Sequence, residues 1–184
     1  MQWILASASP RRKQLLREVI DDFEIIPAKG EENADGADTP IALVKALATQ
    51  KAREVAALAQ AKGKAVLGAD TVVAIDNEVL GKPIDAADAK RMLSALSGRV
   101  HHVYTGVCIL FPDGREYVDC ACTEVEFEHL TNERIDAYVQ SGSPMDKAGA
   151  YGIQDGGLVR CIRGSFSNVV GLPVELCREM IKKA

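Results

Sequence analysis

Two runs of strand-favouring residues, VHHVYTGVCILF at 100–111 and REYVDCACTEVEFEHL at 115–130, flank Pro112-Asp113-Gly114. A turn of this composition between β-branched and aromatic runs is a strong antiparallel hairpin signal. Its two long arms commit the chain to a sheet, and the remaining sequence supplies helices to cover it. Pro10 suits the first turn of a helix whose buried side is Leu15, Leu16, Val19 and Ile20. Thr39-Pro40 reads as an N-cap followed by the first helical residue. It opens a helix to about Ala61, with Val44, Leu47, Lys51, Val55 and Leu58 at helical spacing. Asp85 caps a helix that Ser97-Gly98 ends, Thr131 caps another that stops at Gly142, and a last helix starts near Pro173. Further strands are predicted at 2–7, 23–28, 65–75 and 158–164, with Asp76-Asn77 turning the third back into EVLGKP. Residues 29–38 make an acidic loop and 143–157 a glycine-rich one. Helices alternating with strands around one long hairpin argue for an α/β fold with a mixed sheet, not a purely doubly wound one. A chain of 184 residues suits one domain, or two lobes sharing a sheet.

Composition narrows the function. Lys plus Arg is 22 against 26 for Asp plus Glu, a formal net charge of −4, without the basic footprint of a nucleic-acid binder. No nucleic-acid partner is expected, and any positive charge that matters must be local. There is no apolar run of about 18 residues to span a membrane and no secretory leader pattern, so a cytoplasmic location without a membrane partner is expected. The five cysteines are odd in number and scattered, which reads as reduced and mostly buried thiols. Cys120 and Cys122 share a strand face, without further Cys or His at zinc-finger spacing. His101 and His102 would point to opposite faces of their strand, so they do not form a ligand pair. A carboxylate is the better candidate base.

The informative residues are polar ones in apolar or turn contexts. Asp70 sits inside VLGADTVVA, and a carboxylate in a buried strand is costly unless it is paired or holds a metal. The bland alternative is an Asp that bonds backbone amides. Gly68 nearby marks close approach by another backbone or by a ligand. Lys82, fixed between Gly81 and Pro83, reaches phosphate as a compact charge or is simply solvated. Lys51 falls on an apolar helical stripe, where it either snorkels outward or enters a pocket. Glu31 and Glu32 open the acidic loop after a strand end, where solvation is the default. Ser7-Ala8-Ser9-Pro10-Arg11-Arg12 places two hydroxyls and two guanidiniums at a helix start. Free N–H groups there favour an anion, whereas arginine opposes the helix dipole unless an anion is bound. A serine N-cap with two solvated arginines is the alternative. Together, basic Arg11, Arg12, Lys51 and Lys82 with acidic Glu32 and Asp70 form the set that phosphate handled with a hard cation requires. Neither GxxxxGK[ST] nor GxGxxG is present.

SASPRR at 7–12, GEE at 30–32, Lys51 in QKAR, GADTVV at 68–73, GKP at 81–83, SGR at 97–99, YTGV at 104–107, DKAGAYGIQ at 146–154 and NVVGLP at 168–173 stand in the same order as the motifs of the Maf family, which the chain resembles over nearly its whole length. The resemblance implies an elongated mixed sheet with flanking helices in two lobes, an inosine-triphosphatase-like fold, and an active cleft between the lobes of a single domain at 1–184. It implies a nucleoside triphosphate pyrophosphatase that cuts between the α and β phosphates with a divalent cation, Mg²⁺ or Mn²⁺, and that forms a homodimer. Carried across by motif, Asp70 is the proton acceptor, and Arg11, Thr71 and Gln154 are the positions of substrate choice. Glu32, Lys51 and Lys82 are polar cleft residues. On the chemistry, Ser7, Ser9, Arg12, Lys51 and Lys82 would meet phosphate, and Glu32 with Asp70 would meet the metal. Whether Asp70 acts as base or ligand stays open, as does whether Arg12 points to phosphate or to solvent.

Gln154 separates the branches of the family. Its amide offers one donor and one acceptor, complementary to O4 and N3–H of uracil or thymine. A carboxylate would only accept, which suits guanine. The DKAGAYGIQ motif resembles the dTTP/UTP branch and not the 7-methyl-GTP one. A nucleotide-sensing regulator of septum formation, with little turnover, is the competing expectation, and modified pyrimidine nucleotides are a competing substrate class.

Overall fold

The computed structural model describes residues 1–76 and 78–183. The protein is α/β, with helices flanking a mixed seven-stranded sheet. Strand β1 (Trp3–Leu5) pairs in parallel with β2 (Glu24–Ile25) and with β3 (Ala65–Ile75), and β4 (Glu78–Leu80) returns antiparallel along β3. The hairpin arms are β5 (Val100–Leu110) and β6 (Glu116–Phe127), and β7 (Val159–Arg163) runs antiparallel to β6. The strand order is β2-β1-β3-β5-β6-β7, with β4 on β3. The helices are α1 (Pro10–Leu16), α2 (Pro40–Ala56), α3 (Ala86–Leu96), α4 (Asn132–Gln140), α5 (Phe166–Val170) and α6 (Val174–Lys182). Thr39, Asp85 and Thr131 cap α2, α3 and α4 with their side-chain oxygens, as their sequence context predicts. No helix among the described residues is long and apolar enough to cross a membrane.

Two compact units divide the chain, with boundaries inside β3, β5 and β6. The first holds Met1–Thr71, Thr105–Ala121 and the chain from Gly171 onward. Alternation along its strands makes two apolar layers. Leu5, Leu67 and Ile109 pack with Leu16, Cys177 and Met180 of α1 and α6, while Ile4, Val66 and Cys108 pack with Ala48, Ala52 and Val55 of α2. Gly68 and Gly106 let α2 lie close against the strands. A Cβ on either would stand 2.3 Å from a helix carbonyl, that of Ala48 or Val44. The glycine inside the Asp70 strand therefore answers to a second backbone. The second unit, Val72–Tyr104 and Cys122–Val170, closes around Val73, Leu93, Leu96, Phe127, Ile135 and Tyr151. His101 is fully buried there, edge-on to both Phe127 and Tyr151.

Several boundaries differ from the sequence-based expectation. β2 shortens to Glu24–Ile25 because it is an exposed edge of the sheet, and edges are kept short. β1 shortens too, although the Ala6 N–H on the Leu67 carbonyl at 2.8 Å carries its pairing one residue further. α2 ends at Ala56. Leu58, the last residue of its apolar stripe, is 41% exposed, so packing does not sustain another turn. The short α5 was not anticipated, and the glycine-rich loop holds three 3₁₀ turns. Among the cysteines only Cys108 and Cys177 are buried, Cys120 and Cys161 are half-buried, and Cys122 is exposed. Asp76 turns with a φ of 50°, and Asn77, the other half of the expected turn, lies outside the described residues.

Candidate active site

The chain leaves β1 at Ser7, which is buried, and enters α1 through Ser9. The Ser9 hydroxyl accepts the Arg12 N–H at 3.4 Å, and Pro10 occupies the first helical position. Ser7 Oγ accepts the Ser9 N–H at 3.2 Å and Arg12 Nη1 at 3.4 Å. Arg12 makes two further side-chain bonds. Its Nε donates to the Gly171 carbonyl at 2.9 Å and its Nη2 to Thr71 Oγ1 at 3.1 Å. Arg12 thus braces the start of α1 against β3 and the Gly171 turn. Burial lowers its pKa from the ordinary value, and the charge of Asp70 opposes that shift. The second hydroxyl at Thr71 is that of Thr105, buried at 2.9 Å. α1 has only seven residues, so its dipole is a small part of any anion affinity. Arg11 lies half-buried in its first turn.

Asp70 faces the other side of β3, toward α2. It is buried, 8% exposed, and its Oδ1 lies 2.5 Å from Lys51 Nζ. The same ammonium lies 2.8 Å from Glu32 Oε1. The Lys51 side chain is thus largely buried between helix and strand, and one cation answers two carboxylates. The acidic loop that carries Glu32 is tied to α2 and not merely solvated. Gln50 Nε2 donates to the Glu31 carbonyl at 2.6 Å while its Oε1 accepts the Asn33 N–H at 3.0 Å. Glu54 accepts the Lys29 and Gly30 N–H groups at 2.6 and 3.0 Å. A buried carboxylate is tolerable because the ammonium offsets its desolvation.

In the second unit Lys82 is exposed between Gly81 and Pro83, and the Gly81 carbonyl accepts the Gly149 N–H at 3.0 Å. Gln154 is exposed on the 3₁₀ turn Ile153–Asp155. The loop before it needs left-handed backbone: Gly149 has φ 68°, and Ala150, a residue with a Cβ, has φ 59°. A Cβ at Gly149 would meet Val73 Cγ2 at 2.7 Å.

Ser7, Ser9, Arg12 and Thr71 thus join one hydrogen-bonded group in the first unit, and Glu32, Lys51 and Asp70 join a second there. Lys82 and Gln154 belong to the other unit. Sequence reasoning missed Thr105 and the Gly171 carbonyl, although both lie inside quoted motifs, YTGV and NVVGLP. It also missed Lys147, inside DKAGAYGIQ, whose Nζ bonds the Ser143 carbonyl at 2.5 Å and Asp146 Oδ1 at 2.9 Å.

The family model described as Maf-like protein matches residues 2–184. A dTTP/UTP pyrophosphatase of Thermococcus gammatolerans is 52% identical over 175 residues, covering 94% of this chain and 91% of the relative. One of Agathobacter rectalis is 48% identical, covering 99% and 97%, and one of Moorella thermoacetica is 51% identical, covering 97% and 92%. Among solved structures, a HAM1 protein from Coxiella burnetii superposes with a TM-score of 0.59 at 18% identity, covering 100% of both chains. The Staphylococcus aureus Ham1 protein does so with 0.54 at 14%, covering 100% and 99%. These two likenesses concern the fold alone.

Proposed function

Because the chain belongs to the Maf-like protein family, we propose that it hydrolyses dTTP and UTP to the nucleoside monophosphate and pyrophosphate. Relatives about half identical over nearly the whole chain carry the name dTTP/UTP pyrophosphatase. The observation that carries the chemistry is the buried Asp70 carboxylate, held at 2.5 Å by Lys51. A base must be fixed and partly dehydrated to take a proton from water at the moment of attack. Asp70 meets both conditions. The water attacks the α-phosphorus, its proton passes to Asp70, and pyrophosphate leaves. Lys51 neutralises charge as the P–O bond breaks. Lys82 and Arg12 would act on the phosphates in the same way, Arg12 while bonded to Ser7 and Thr71, and Arg11 would lie nearest the nucleotide.

A divalent cation is the proposed cofactor. Glu32 and Asp70 each bring a carboxylate oxygen to the Lys51 ammonium, so a cation held by them would take that ammonium's place, with Asp70 then a ligand instead of the base. No group of three or more His, Cys, Asp or Glu among the described residues could hold a metal. Mg²⁺ is commonly held by one or two carboxylates and substrate phosphates, so Glu32 and Asp70 would bind it together with the triphosphate. Bound there, it would offset phosphate charge.

Gln154 supplies base choice, its amide donor and acceptor meeting O4 and N3–H of the pyrimidine. The family resemblance carries a cytoplasmic homodimer with it, and the net charge of −4 favours free nucleotide over nucleic acid as partner. The test is incubation with each common nucleoside triphosphate and Mg²⁺ or Mn²⁺. UMP or dTMP with pyrophosphate is expected. A diphosphate with orthophosphate would reject cleavage between the α and β phosphates.

A further inference from the structure

The glycine-rich loop after α4 carries a hydrogen-bonded clamp that phosphate chemistry does not require. The Tyr138 hydroxyl, on α4, donates to Asp155 Oδ2 at 2.5 Å and accepts the Gly152 N–H at 3.0 Å. Gly152 and Asp155 are the two ends of the turn that displays Gln154, and the Asp155 N–H closes it on the Gly152 carbonyl at 3.0 Å. One hydroxyl therefore ties both ends of the Gln154 turn to a helix. Ser143 Oγ donates to the same Asp155 oxygen at 2.6 Å and lies 3.1 Å from Lys147 Nζ. The aspartate is held by two hydroxyls, with an ammonium one bond behind, a charge-assisted arrangement stronger than neutral pairs. The clamp leaves no space at Gly152, where a Cβ would fall 2.9 Å from Asp155 Oδ2 and 2.7 Å from Lys147 Cε. Burial first, and then the bond to Asp155, raises the Tyr138 phenol to about 12, so it remains a proton donor at neutral pH.

We propose that Tyr138 is a positioning residue for base recognition, its hydroxyl fixing the turn that presents the Gln154 amide to the nucleobase. Recognition of O4 and N3–H needs the amide donor and acceptor in fixed order and direction. A glutamine on a loose turn must be ordered by each substrate, and binding pays for that ordering. A glutamine on a clamped turn meets a pyrimidine already oriented. The proposal rests on the reading of Gln154 given above.

The test uses the full chain and binding, which does not depend on turnover. Calorimetric affinities for the α,β-methylene analogues of UTP and GTP are compared in wild type, Tyr138→Phe and Gln154→Glu. Phenylalanine keeps the ring and removes both clamp bonds. Tyr138→Phe is expected to weaken the UTP analogue about tenfold while the GTP analogue changes less than about twofold, the size of one or two lost hydrogen bonds. An unchanged ratio between the two analogues overturns the proposal. If Gln154→Glu shifts the ratio and Tyr138→Phe does not, the clamp alone fails. If neither shifts it, Gln154 has no part in recognition and the proposal falls with it. A wild-type protein that discriminates by binding yet hydrolyses neither triphosphate contradicts only the catalytic reading, and the ratio still decides the clamp. Should Tyr138→Phe prove too unstable to assay, Ser143→Ala strips the other hydroxyl from Asp155, and the same ratio decides.

Discussion

Lys51 holds its ammonium nitrogen 2.5 Å from Asp70 Oδ1, although the two residues stand 19 positions apart on a helix and a strand. The side chains are 16% and 11% exposed. The pair joins α2 to β3, and the Lys51 ammonium also meets Glu32 Oε1 at 2.8 Å.

Asp70→Asn keeps a carbonyl oxygen for Lys51 but cannot take a proton. Turnover should fall by about 10²- to 10⁴-fold, the usual worth of a positioned base. Nucleotide affinity, read by calorimetry, should change only a few-fold. Full activity in this variant would remove Asp70 from the role of base.

Lys51→Met leaves Asp70 buried without its cation. The loss should be about 3 kcal/mol in urea unfolding, the scale for breaking a buried pair from one side. The double variant Lys51→Met with Asp70→Asn should recover a good part of it, since the orphaned charge is gone. A double variant no more stable than Lys51→Met would show that the pair is not what holds this region.

Gly68→Ala and Gly106→Ala should each lower thermal stability, because the new Cβ stands 2.3 Å from a carbonyl of α2. Overpacking of this kind costs about 1–3 kcal/mol, and more where backbone must move. Gly114→Ala is the contrast for crowding. Its added Cβ meets nothing within 4 Å, and only its φ of 89° is strained. Equal effects at all three positions would mean that crowding against α2 is not the cause.

Much of this fold was legible in the sequence, and the reason is local. β3 was read to the residue because its apolar run is bounded by turn residues on both sides, and the Thr39, Asp85 and Thr131 caps declare themselves within three residues of their targets. Asp70 and Lys51 stood out too, as charges set against an apolar pattern, whereas Glu32 read as part of an acidic loop. What was not legible is carried by distant contacts. Arg12 finds its acceptor at Gly171, 159 residues on, so its orientation had no local sign. Tyr138 looks like any half-buried helix residue until the loop it clamps is folded beside it.

His101 gives a pH dependence. Burial, and to a lesser degree His102, lowers its pKa from 6.5 to about 3. Between those values the unfolded chain binds a proton that the folded chain refuses, so stability rises with pH through that window and is lost as pH falls from 6.5 toward 3. The slope from this group should approach about 1.4 kcal/mol per pH unit. In His101→Gln, which can still bond the Tyr151 hydroxyl, that part of the slope should vanish in denaturant unfolding at a series of pH values. An identical slope in the variant would assign the acid sensitivity to other groups.

The most direct measurement follows the oxygen of the attacking water. Hydrolysis of dTTP in ¹⁸O-enriched water, with products resolved by mass spectrometry, reports which phosphorus is attacked. Attack at the α-phosphorus, with Asp70 taking the proton, predicts one heavy oxygen in dTMP and none in pyrophosphate. Label in pyrophosphate, or release of labelled orthophosphate with dTDP, would contradict it.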